Sequence, residues 1–357
     1  YSYNNLGLIF QKLGKKEKAK KYFNKIIEIN PNYSKAYNNL GIIFVDQGKF
    51  KEAIENYVSA LECDNGNKIA LNNLILALNH FLPTANHPII EANNKLKKIS
   101  SNSNIENLLQ HNNLKIYFQE VSKIKNEIKN NLKFLNFSET QIFRKNSSDL
   151  NCERHHRIFN KINVIPNFCF SCYKIQIEPK NVLDLIKLFL IFDDIKLSNN
   201  NWRKCMIELR SNISGIYKGL IFCSSLDEAE KILDKINPML MKHLKYKSSI
   251  KRGCSEFYKS YPNYKSVDQK SKDFMEYPIK WKKMELREKE NLNHQKLVSS
   301  LAGLSISDVL IINQWLNYAN LIDDQSYNEI GLEFFHSDYI KKKMSHQTKF
   351  RRKEFLC

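Results

Sequence analysis

The sequence predicts an α-helical array followed by an α+β domain and a closing group of helices, and three observations carry that expectation. Near the N-terminus apolar residues recur every 34 positions, strand-like alternation begins only after Cys152, and a strongly apolar helical stretch returns at Val309. With 357 residues, 42% of them hydrophobic, the chain can bury more than one core and suggests two or three units. The expected division is an array over residues 1–80, a helical connector over 81–150, a cysteine-rich α/β domain over 151–262 and a helical region with a basic tail over 263–357.

The array comes first. Tyr3, Leu6, Gly7 and Phe10 return as Tyr37, Leu40, Gly41 and Phe44, and Ala19, Phe23, Ile26 and Pro31 return as Ala53, Tyr57, Ala60 and Asn65. Over residues 1–67 this resembles the tetratricopeptide (TPR) repeat, an α-solenoid unit; only Ile26 and Asn65 depart from the pattern. The spacing has a physical basis. A glycine lets the two helices of a hairpin approach closely, alanines sit at their crossing, and aromatics fill the space between. Each hairpin leaves an apolar side that only a neighbour can cover, so arrays usually need about three or more repeats. Leu71, Leu74 and Leu78 continue the phase to about residue 80 for one closing helix. The first position of repeat one would precede Tyr1, so the chain is expected to be truncated at its N-terminus, where a signal peptide would escape notice.

In such arrays the first helix of each repeat lines a concave face. Asn4-Asn5, Asn38-Asn39 and Asn72-Asn73 fall there at the repeat spacing. An amide both donates and accepts, so stacked asparagines suit an extended peptide backbone and demand little of its sequence. The resemblance implies the same role, since the TPR arrays of protein O-glycosyltransferases carry such a ladder. Asn5, Asn39 and Asn73 are its expected rungs, with Asn4 and Asn38 beside them. The alternative is a chance effect of a chain rich in asparagine. The basic clamp of TPRs that bind chaperone tails is not visible.

After Phe81 the phase is lost. Pro83, Pro88 and Ser/Asn-rich turns separate apolar-periodic stretches, which predicts two or three bridging helices. From Cys152 the pattern changes. Tyr173–Pro179 alternates as a strand, Val182–Ile195 is helical, Lys204–Arg210 and Ser214–Cys223 are strands, Ser225-Leu-Asp-Glu228 opens a helix kinked at Pro238, and Ser249–Gly253 is a last strand. The resulting βαββαβ order is that of ferredoxin-like folds.

In the usual 4-1-3-2 sheet order of that fold, Cys172, Cys205, Cys223 and Cys254 gather at one rim, with Cys169 and the Cys152-Glu-Arg-His155-His156 run just upstream. Two readings stand for these residues. Cys152, His155, Cys169, Cys172, Cys223 and Cys254 could hold zinc or an iron–sulfur cluster, since close-spaced thiolate and imidazole ligands suit a tetrahedral ion. Otherwise they are buried apolar thiols beside a surface histidine pair. Cys254, flanked by Lys251 and Arg252, is also a candidate reactive thiol, although spacing identifies no base for it.

The same strand order underlies RNA-recognition modules, and Lys218-Gly219-Leu220-Ile221-Phe222 partly resembles their third-strand motif. Leu220 stands where a stacking aromatic is expected, and strand one offers only Tyr173, which argues against RNA binding by this sheet. His336-Ser-Asp338 lies too near the C-terminus for an iron oxygenase, and 10 glycines leave little material for a phosphate loop. Val309–Ile322 is an apolar helix expected to pack on the second domain, and Lys341–Lys353 is a basic tail that is either solvated or contacts an anionic partner.

The net charge of +19 would favour anionic partners, but the lysines are spread along a chain rich in Lys, Asn and Ile, so charge alone decides little. The longest apolar stretch, Val182–Phe192, contains Asp184 and Lys187 and is too short to span a bilayer. The 8 cysteines, spaced unlike a disulfide scaffold, suggest reduced thiols in a cytoplasm. The leading expectation is therefore a cytoplasmic adaptor that binds a protein or extended peptide. The alternatives are a metal- or thiol-dependent enzyme that selects protein substrates through its repeats, and an RNA-binding adaptor.

Overall fold

Paired helices build the N-terminal part of the computed structural model, which describes residues 2–356 apart from 102, 103, 133, 134, 136, 149, 212 and 289–297. The chain forms two units. One comprises residues 1–140, 293–317 and 328–342, and the other residues 141–292, 318–327 and 343–357.

In the first unit the hairpins are α1 (Ser2–Lys12) with α2 (Lys16–Ile29) and α3 (Ser34–Asp46) with α4 (Phe50–Cys63), followed by α5 (Lys68–Ala77). Their crossing is as tight as the sequence implies. A Cβ on Gly7 would run into the Phe23 ring, and one on Gly41 into the Tyr57 ring. Gly14 and Gly48, one repeat apart, end α1 and α3 at φ 70° and 71°, a conformation that costs glycine little. The hairpins stack. Ala19 and Phe23 of α2 form one buried cluster with Ala36, Leu40 and Ile43 of α3, and within the second hairpin the Ser34 hydroxyl donates to the Ala60 carbonyl at 2.7 Å. The expected closing helix is α5, whose N-terminus is capped by the Asn67 side chain accepting from the Ala70 amide.

The connector is helical: α6 (Pro88–Ser101), α7 (Ile105–Leu108), α8 (His111–Glu127) and α9 (Lys129–Leu132). Next come the elements of the second unit: β1 (Gln141–Arg144), α10 (Cys152–Ile162), α11 (Asn167–Phe170), β2 (Tyr173–Pro179), α12 (Val182–Asp194), β3 (Arg203–Ile207), β4 (Tyr217–Cys223), α13 (Leu226–His243) and β5 (Tyr246–Arg252). The sheet order is β1-β3-β4-β2-β5, with every neighbouring pair antiparallel. Without β1, the βαββαβ order and its sheet order are those expected. Strand β1 falls within the stretch expected to be a helical connector. Pro238 lies inside a helix that continues to His243.

The C-terminal region departs from expectation. Beyond α14 (Lys280–Arg287) lies α15 (Ile306–Leu321), opened by a reciprocal cap in which Ser305 Oγ accepts from the Asp308 amide and Asp308 accepts from that of Ser305. Residues 306–317 of α15 belong to the first unit, not the second. There Trp315 Nε1 donates to the Thr140 carbonyl at 2.9 Å and Gln314 to that of Phe137 at 2.6 Å. The helices α16 (Asp338–Met344) and α17 (Thr348–Leu356) hold the basic tail. Arg351 in that tail is 0% exposed and donates to the carbonyls of Arg210 and Ile213, so this cation is structural. Among the described residues no helix is long and apolar enough to cross a membrane.

Candidate functional site

The strand register sorts the second unit's side chains onto two faces, because residues directly opposed in an antiparallel pair point the same way. Tyr173, Ile175 and Ile177 align with Cys223, Ile221 and Gly219, and a Cβ on Gly219 would strike Leu188 of α12. Gly219 therefore serves helix packing, and Tyr173 belongs to the same face. The other face carries Lys174, opposed on one side to Lys251 and on the other to Phe222. In the neighbouring row Lys204 is opposed to Phe143 and Leu220. Cations and rings thus interleave across the five strands.

These cations are not equivalent. Lys218 is buried and donates to Glu208 at 3.0 Å, and Arg210 pairs with both Glu208 and Glu256. Burial opposes ionisation of Glu208, but hydrogen bonds from Arg210 and the neighbouring Lys218 charge outweigh it and hold the carboxyl at about 2. That network is internally neutralised. Lys174, Lys204 and Lys251 have no ion pair among the described residues. Burial, with Lys174 and Arg210 nearby, brings the Lys204 ammonium down to about 8. Burial also lowers Lys251, against the pull of Glu178 and with the push of Lys174. Lys204 donates to Gln141 at 3.0 Å and lies 5.3 Å from the Phe143 ring centre, while Lys145 lies over both Phe143 and Trp202.

The cysteines gather at the rim where β2 begins and β4 and β5 end. Gly253, at φ 54°, turns the chain out of β5, and its amide donates to the Cys172 carbonyl at 2.7 Å. Burial pushes the Cys172 thiol up to about 12 and Cys254 to about 11, and Cys152 adds to both. Cys169 is raised beyond these, by burial and then by Cys254, Cys172 and Cys152. Cys223 also lies near Cys172, whereas Cys205 is buried within β3 with Arg144 as its neighbouring charge. Cys205 therefore leaves the predicted rim. Among the described residues the one group of metal-ligating side chains whose atoms lie within 4.8 Å of one another is His156, Cys254 and Glu256. His155, the histidine chosen from sequence, is buried and packs on Phe168, ring centres 5.2 Å apart.

In the array, Asn38 is 7% exposed and its Oδ1 accepts from Asn73 Nδ2 at 2.9 Å, which links successive first helices. Asn39 and Asn4 are half-buried, and Asn5 is exposed.

Residues 1–33 match the profile of the tetratricopeptide repeat, and residues 19–213 match that of the Est1 DNA/RNA binding domain, more than half of the chain. The chain belongs to the Est1 DNA/RNA binding domain family. No curated protein matches it. The Est1 match runs from α2 into the loop after β3, so it includes Phe143, Lys174, Trp202 and Lys204 and stops short of Phe222 and Lys251. Phe143 and Trp202 were missed in the sequence, and Lys251 drew notice there only as a neighbour of Cys254. Their role on the lysine-bearing face depends on β1 and on registers between residues 59 to 79 positions apart, for which alternation within one strand gives no signal.

Proposed function

We propose that the chain is a TPR-bearing protein that binds single-stranded nucleic acid on the lysine-bearing face of its sheet, while its repeat array docks a protein or an extended peptide. The Est1 match carries the first half of this reading and the TPR segment supports the second. The face adds a physical argument. Lys174 directly opposite Lys251 is a repulsive cross-strand pair, which a phosphate would relieve. Phe143, Trp202 and Phe222 offer rings for stacking beside it, the combination by which single strands are held.

The test is titration of the full chain with labelled single-stranded DNA and RNA at graded salt. Three phosphate-facing lysines predict a slope of log K against log salt of about −2. Lys174→Glu should abolish most binding, and because it converts a like-charge pair into an opposite-charge one it should leave the thermal midpoint unchanged or raised. Binding that ignores both salt and this substitution would refute the reading.

A second reading has its own observation. We propose that His156 and Cys254, with Glu256 or a neighbouring thiol of Cys152 or Cys172, hold zinc, on the strength of the three ligand atoms already gathered within 4.8 Å. An imidazole, a thiolate and a carboxylate form a donor set that zinc accepts.

A further inference from the structure

A cleft of about 170 Å³ opens in the second unit at the end of the row containing Phe222, lined among others by Phe168, Trp202, Phe222, Asn199, Asn201 and Glu228. It holds several times the roughly 30 Å³ that one water occupies in the liquid. Its polar groups are largely committed. Glu228 accepts from Asn199 and Asn201 through one oxygen and from Ser224 through the other, and Trp202 Nε1 donates to Asn146 at 2.8 Å. Asn201 is the exception. It is 7% exposed, and its Nδ2 donates to the Phe222 carbonyl at 3.0 Å and to Glu228 at 2.9 Å. Both neighbours can only accept, so the amide cannot be reversed, and among the described residues its Oδ1 has no donor.

A cleft of this size walled by the rings of Phe168, Trp202 and Phe222 suits one planar molecule. We infer that this cleft receives one unpaired nucleobase, stacked against the aromatic walls. The inference rests on the nucleic-acid reading and deepens it. Lys174 and Lys251 would hold the phosphates, and the base would be turned into the cleft beside Phe222, whose backbone neighbour across the sheet is Lys174. Phe168, 47% exposed, forms an outer wall that removal would not unfold.

The full chain is titrated with short oligo(dA) and with an abasic strand of the same length, followed by anisotropy and by tryptophan emission. Trp315 and Trp281 are buried, so quenching reports Trp202. The expected result is quenching by oligo(dA) alone, affinity about tenfold lower for the abasic strand, and a similar loss for oligo(dA) on Phe168→Ala, as for one stacked base. Equal affinity for the two strands without quenching, unchanged by Phe168→Ala, overturns the pocket and leaves the phosphate-binding face standing. No binding of either strand overturns both.

Discussion

His156, and not His155, shares a cluster with Cys254, and helix phase explains the exchange. Cys152 and His156 are four residues apart on α10, so they lie one turn above each other on one face, while His155 is rotated away and packs on Phe168. A run of two histidines after a cysteine cannot reveal which of them faces a partner that arrives from β5, a hundred residues on. The zinc reading therefore makes a residue-by-residue prediction. Protein purified without chelator should carry about one zinc per chain, as a closed structural site does. His156→Ala and Cys254→Ser should each strip most of it, whereas His155→Ala and Cys205→Ser should not. Glu256 is shared with Arg210, so Arg210→Ala should tighten retention against a chelator. Metal content well below one equivalent in the unaltered protein, or equal loss from the His155 and His156 variants, would remove zinc from the account.

Among the elements, the hairpins were legible and the sheet only partly so, for one reason. A TPR hairpin is written in residues 16 positions apart, Gly7 against Phe23 and Gly41 against Tyr57, and the pattern then repeats. Strand β1 is four residues long and gains its place by pairing with β3, about 60 residues later, so nothing in Gln141–Arg144 itself distinguishes it from a loop. The asparagines show the same limit at smaller scale. The repeat spacing aligns Asn39 with Asn73, but the observed bond joins Asn38 to Asn73, one residue out of phase, because the contact depends on how consecutive helices are offset. The hairpin crossing yields a test. Gly41→Ala would place a methyl group in the Tyr57 ring, and such overpacking typically costs about 1–3 kcal/mol, against roughly 1 kcal/mol returned by the better helix propensity of alanine. Its denaturation midpoint should fall, while Gly66→Ala, in an exposed turn where the nearest atom is the Asp64 carboxylate at 3.3 Å, should change little. Equal stability of the two variants would mean that the close approach at Gly41 does not hold the repeat together.

Across the whole molecule the chain returns to each unit more than once, and this is what defeats a cut at residue 262. The region expected to form a separate helical tail supplies interior parts to both units. In the first, Trp315 is fully buried and bonded to the Thr140 carbonyl, and Ser305 donates to Asn79 at 2.8 Å. In the second, Asp324 accepts from the Val182 amide at 2.6 Å and from the Tyr217 hydroxyl at 2.7 Å, and Arg351 bonds two carbonyls in the loop after β3. Removing residues 263–357 would leave the Val182 and Tyr217 donors without their acceptor, at about 1–3 kcal/mol each, and would empty the sites of Trp315 and its apolar neighbours, at about 3–5 kcal/mol for a large aromatic alone. Against a typical total stability of about 5–15 kcal/mol, neither unit should survive the loss. A chain of residues 1–262 should therefore lack a cooperative thermal transition and be digested throughout by a protease at dilution that leaves the full chain intact. A protected fragment ending near residue 262, melting cooperatively, would show that the buried contacts from the C-terminal region are dispensable. It would also mean that the sheet face can be studied apart from the helices that close both cores.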